Sequence, residues 1–149
     1  MTGGGTIGDG KTPTYSYGGV VYPGCSSKAA DGGNWNVIWH PAGLHFQGQS
    51  IIVDGCSGVP TKSPKVNVNV INFHGQGILS GIGGNPDATI AVDFVGQATD
   101  NHDGGAGADL LYLNVTSGGT TMLLIDDGSG GPATVSTGNI QIHTSSCSK

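Results

Sequence analysis

The chain contains neither glutamate nor arginine, so its charge rests on ten Asp and five Lys, and 29 of its 149 residues are Gly. Helices draw on Glu, Arg, Lys, Leu and Ala, whereas each Gly in a helix interior costs about 1 kcal/mol relative to Ala. Long helices are therefore not expected. Val and Ile together number 23 against 7 Leu, and 13 Thr add further β-branched side chains, which suit a pleated backbone. Leu, Ile, Val and Phe number 33 in all, just above the roughly 20% below which a highly charged chain stays disordered. The chain length suits one domain with its own core. The expectation is a folded, all-β protein.

Short β-rich runs recur between turn-rich stretches at Gly19–Pro23, Trp35–His40, Leu44–Asp54, Val66–His74, Thr89–Val95, Leu110–Thr116, Thr121–Asp126 and Thr134–Thr144. Several alternate: Ile90, Val92 and Phe94 face one way and Thr89, Ala91, Asp93 and Val95 the other, and Val66, Val68 and Val70 alternate with Asn67 and Asn69. Leu110–Val115 and Met122–Ile125 are nearly continuous apolar runs, which places them centrally. The pattern points to an antiparallel β-sandwich or jelly roll of about eight strands. The alternative is a segment of a right-handed parallel β-helix, favoured by the Asn, Gly and Thr content. No fixed repeat of 20–25 residues, which such a solenoid requires, aligns the apolar runs. Residues 1–18, rich in Gly, Thr, Asp and Tyr without a period, read as an extended N-terminal arm ahead of a single β domain over 19–149.

Turn chemistry is dense, and Gly118-Gly119 marks the best hairpin, joining Leu110–Val115 to Met122–Ile125. Gln97–Ala108 is a long Asp/Gly/Asn stretch, the kind of loop that is functional or mobile. Within it, Asp100, Asn101 and Asp103 offer oxygen ligands that a hard cation such as Ca²⁺ could use. The alternating ligands and closing Glu of an EF-hand are missing, so a solvated loop without cofactor is the stronger expectation, with Ca²⁺ the weaker one. Asp126-Asp127 ends an apolar run; adjacent strand residues face opposite ways, so turn initiation outweighs paired-carboxylate chemistry. Any acid partner for Asp126 would have to come from elsewhere, with Asp93 a candidate.

The five histidines, His40, His45, His74, His102 and His143, show no zinc-ligand spacing, although His40 and His45 flank the Pro41-Ala42-Gly43 turn and could converge. No nucleophile elbow or phosphate loop is present, which leaves an enzyme reading little support. Cys25, Cys56 and Cys147 form an odd set without Cys-x-x-Cys. Three partly buried thiols are expected, with one disulfide and a free thiol as the alternative.

No run approaches the roughly 20 apolar residues that span a bilayer, and the start has neither the basic nor the apolar region of a signal peptide. The expectation is cytoplasmic synthesis or a mature piece given a start Met. Five scattered lysines make no basic patch, which disfavours nucleic acid as a partner. Trp35 and Trp39 share one strand face and fit a core, whereas Tyr15 and Tyr17, with Ile7, sit in the polar arm and read as partner contacts.

These features suit a structural or adhesive protein of a virion surface, such as a phage capsid-decoration or fibre protein, assembled with itself as a homo-oligomer, a trimer by class analogy, and with a larger protein assembly. The class alternative is an extracellular carbohydrate-binding module or a tailspike-like polysaccharide-degrading β-helix segment. There Trp35, Trp39 or Tyr112 would stack on sugar rings, and Asp93, Asp126 and Asp127 would be the acids. Surface glycans then join the partner set; membrane does not.

Overall fold

A computed structural model describes residues 1–9, 11–23, 30–58, 68–101 and 107–143. Among the described residues, strands account for 69% and helix for 5%, against an ordinary helical share of about 30–35%, in keeping with the missing Glu and Arg. The strands are β1 (Thr2–Asp9), β2 (Thr12–Tyr22), β3 (Gly32–Trp39), β4 (Leu44–Ser57), β5 (Val70–Ser80), β6 (Thr89–Thr99), β7 (Leu110–Ser117), β8 (Thr120–Ile125), β9 (Ala133–Thr134) and β10 (Thr137–Gln141). Two short 3₁₀ turns, His40–Ala42 and Ile82–Gly84, join β3 to β4 and β5 to β6.

All ten strands belong to one sheet in the order β10-β1-β2-β3-β4-β5-β6-β7-β8, with β9 also on β7. Every pairing is antiparallel, which excludes the parallel β-helix. The sheet curls into a half-barrel, so its inner face folds over a single core. Phe46, Phe73, Trp35, Leu79, Leu111, Leu113 and Ile125 are buried there. Aromatic rings cross this inner face in a chain: Tyr17 stacks on Trp35 at 5.7 Å, Trp35 meets Phe73 edge-on at 6.2 Å, and Phe94 contacts Phe73 at 6.2 Å and Phe46 at 5.1 Å. Each such pair contributes about 0.5–1.5 kcal/mol beyond area burial.

The two ends of the sheet are tied across the opening. Ser136 N donates to Thr6 O at 2.8 Å, Val135 N donates to Asp109 O at 2.9 Å, and Tyr15 Oη on β2 reaches Leu124 O on β8 at 2.9 Å. Asp109, wholly buried, accepts from Ile140 N at 2.7 Å and Asn101 N at 3.1 Å. Asp100 accepts from Ile142 N at 2.8 Å. Carboxylates thus occupy donors on the outer edge of β10 and just beyond it that another strand would otherwise seek.

Residues 1–18 are not an arm. They form β1 and most of β2, and β1 lies between β10 and β2 with its register running from Thr2 to Asp9. The physical reason is the inner face of β1, where Gly3 lies under the Trp35 ring: an added β-carbon would stand 3.3 Å from that ring, so the ring supplies the apolar cover that the strand's own side chains lack. Three further placements differ from expectation. Met122–Ile125 falls in β8, at the end of the sheet rather than its centre. Leu110–Thr116 and the described part of Val66–His74 are interior strands, so neither is an open edge. Val66 and Asn67 lie outside the described residues, while Gly118 and Gly119, with φ of 56° and 83°, close the expected β7–β8 hairpin.

Candidate functional site

The curl leaves one broad face outward. Residues paired across β4, β5, β6 and β7 stand in rows on it: Ser50, Gln76, Asp93 and Thr116 form one row, and Ile52, His74, Val95 and Asn114 the next. Neighbouring strands are about 4.8 Å apart, and rows two residues apart along a strand are separated by roughly 6.7 Å. Two β-bulges in β4, at Gly48/Ser50 and Val53/Gly55, interrupt the ladder on either side of these rows. Bulges locally bend and twist a strand and re-aim its side chains. Gly75, beside the first bulge, has no room for a side chain, because a β-carbon there would overlap the Ser50 carbonyl oxygen.

Together these features form a shallow groove of about 580 Å³ over β4–β7, within the ordinary range of small-ligand sites. A second stretch of about 360 Å³ continues it toward Ser117 and Gly118 and shares Ser50, Gln76 and Asp93 with the first. Its polar groups are partly pre-oriented. Gln76 Nε2 donates to Asp93 Oδ1 at 3.2 Å, and His74 Nδ1 lies 2.7 Å from Asp54 Oδ1. Beyond the groove's edge, Gln97 Nε2 donates to Asn72 Oδ1 at 2.8 Å. Ile52 and Val95 stand half exposed between these polar groups, at 50% and 49% of full exposure.

The residues singled out in the sequence lie mostly elsewhere. Ile7 and Tyr17 are buried in the core, and Tyr15 packs on Trp39 with its hydroxyl committed to Leu124. None of the three is free to serve as a partner contact, because the segment that carries them is part of the sheet. Trp35 is fully buried and Trp39 partly buried on the inner face, so neither is a glycan platform. Tyr112 does stand on the outer face, paired with Gln97 one row beyond the groove.

Asp100 and Asn101 are spent on backbone: Asp100 accepts from Ile142, and Asn101 Nδ2 donates to Ala108 O at 2.8 Å. Asp103 and His102 lie outside the described residues, and no group of three or more metal-ligating side chains occurs among the described ones. His40 does not meet His45; its Nε2 lies 2.7 Å from Ser16 Oγ on β2. Asp127 initiates a turn, its Oδ1 accepting from Ser129 Oγ, Ser129 N and Gly131 N at 2.7, 2.8 and 2.9 Å. Cys56 is disulfide-bonded, which corrects the expectation of three thiols; Cys25 and Cys147 lie outside the described residues.

Of the groove's lining, the sequence singles out Asp93 as a candidate acid and His74 as one of five histidines without ligand spacing. Ser50, Gln76 and Ile52 carry no motif, and only the cross-strand register assembles them. No family model, characterised protein or solved structure matches the chain.

Proposed function

We propose that this chain is a structural and adhesive domain of an exterior surface, of the kind that a virion carries as a decoration or fibre protein, and that its outer face is the adhesive one. The observation that carries this reading is the distribution of exposed large apolar side chains. Tyr22, Ile38, Ile52, Val95 and Leu124 come from five different strands, and all five stand on the outer face. Three of them are not scattered: Ile52, Val95 and Leu124 share one cross-strand row with His74 and Asn114, and contiguous exposed apolar groups, unlike isolated ones, mark an interaction surface. The cross-link at Cys56 supports an exterior setting, since disulfides persist where the surroundings oxidise. Assembly with itself, as a trimer, and with a larger protein shell belongs to the same proposal.

The test is immunogold electron microscopy on particles and cells that make the chain. Gold on the exterior of particles is the expected result. Label confined to the cell interior, with particles bare, overturns the reading.

A further inference from the structure

The structure points to a ligand class for the groove over β4–β7: we propose that it binds an extended neutral oligosaccharide. This rests on the adhesive reading and gives it a chemistry. A sugar ring is amphipathic, with C–H groups on its faces and hydroxyls around its rim. The groove has the matching division. Ile52 and Val95 provide an apolar floor, and the adjoining Ser50–Gln76–Asp93–Thr116 row provides donors and acceptors at strand spacing.

Capacity for hydrogen bonding remains on that row. Asp93 uses Oδ1 to accept from Gln76, while its Oδ2 and the Gln76 Oε1 meet no partner among the described residues. The Asp93 carboxylate can take two neighbouring hydroxyls, and the second N–H of Gln76 can donate to a third. His74, oriented through Nδ1 by Asp54, leaves Nε2 for a further hydroxyl.

Two observations narrow the ligand. First, the chain as a whole carries a net charge of −5, and the groove's lining among the described residues includes Asp93 and no lysine. An acidic polysaccharide would be repelled, so the ligand is neutral. Second, the two stretches of groove share Ser50, Gln76 and Asp93 and run on past them. One ring fills neither end, so the occupant spans several sugars. The one aromatic residue in the groove's described lining, Phe94, is buried in the core and offers no stacking platform, so the affinity of one groove is modest, with a Kd on the order of 10⁻⁴ M, and adhesion is strengthened by repeated copies.

The experiment titrates ¹⁵N-labelled protein with neutral hexasaccharides of β-glucan, α-glucan, mannan, galactan and xylan, with hexagalacturonate as the acidic comparator. The expected result is saturable shifts at Ser50, Ile52, Gln76, Asp93 and Val95 with at least one neutral sugar. Asp93→Ala and Gln76→Ala should each weaken that binding about tenfold with an unchanged melting midpoint. Three results overturn the proposal: no neutral sugar shifts these amides, the shifts map to another face, or hexagalacturonate binds more tightly. Shifts at the same amides on concentrating the protein alone, with a rise in mass, assign the groove to a second copy of the chain and also overturn it. Immunogold reports location and this titration reports chemistry, so either can fail while the other stands.

Discussion

Tyr17 carries a hydroxyl that is buried without a hydrogen-bond partner among the described residues. Burial, and then the charge of Asp109, push its phenol above the ordinary tyrosine value of 10.0. A raised phenol contributes stability that is complete below 10.0 and is lost as pH rises toward the folded value. Tyr17→Phe removes both the orphaned hydroxyl and this alkaline sensitivity. It should leave stability unchanged or raise it by about 1 kcal/mol at neutral pH, and should shift the onset of alkaline unfolding upward in denaturant melts. A loss above about 2 kcal/mol would show that the hydroxyl has a partner after all.

Asp127 behaves in the opposite sense. The Ser129 hydroxyl first, then the Ser129 and Gly131 amides, hold its carboxyl below the ordinary 3.8. Its contribution to stability is present above 3.8 and is lost as pH falls through the depressed value. Carboxyl NMR titration should find the Asp127 midpoint below 3.8, and Ser129→Ala should move it back up; an unmoved midpoint would deny the hydroxyl its role. The turn function of this residue was legible because Asp before Gly is local chemistry. The burial of Tyr17 was not, because the ring that covers it, Trp35, belongs to a neighbouring strand.

At the scale of elements, alternation revealed β6, where apolar side chains mark the inner positions, and nearly continuous apolar runs revealed β7 and β8. It failed where glycine holds those positions. In β5, Gly75 and Gly77 face inward, and in β6 a β-carbon on Gly96 would stand 2.6 Å from the Phe73 ring. Glycine there makes room for a ring from the adjacent strand, yet in the sequence it looks like a turn. The same substitution of neighbour ring for own side chain hid β1 and most of β2. Deleting residues 2–14 therefore removes the strand that pairs both β10 and β2. The truncated chain should show no cooperative thermal transition, and a midpoint within about 3 °C of the full chain would contradict the assignment.

Asp109 is the counterpart at the other end of the sheet. Asp109→Ala strands the buried amide of Ile140 and the partly buried amide of Asn101 and should cost about 2–4 kcal/mol in urea unfolding. Asp109→Asn, which keeps acceptor oxygen, should cost less. Equal and negligible losses in the two variants would remove Asp109 from the closure.

For the molecule as a whole, the described residues form one sheet that curls until its ends are tied together, and none of them builds a second layer over the outer face. On the proposed adhesive reading, the apolar and amide side chains of that face are its contact groups. All-β character was legible from composition, since it depends only on which residues are present. The rows of the groove were not, since Ser50, Gln76, Asp93 and Thr116 meet only through three strand registers and a bulge. The closure of the sheet depends on β1, which pairs both β10 and β2. Amide hydrogen exchange resolved by residue tests this most directly. Hydrogen-bonded amides of Gly3–Ile7 should exchange within about tenfold of those in β3, because they open in the same cooperative unit. Exchange of Gly3–Ile7 at the rate of an unstructured peptide, with β3 still protected, would return these residues to an arm and contradict the closed sheet.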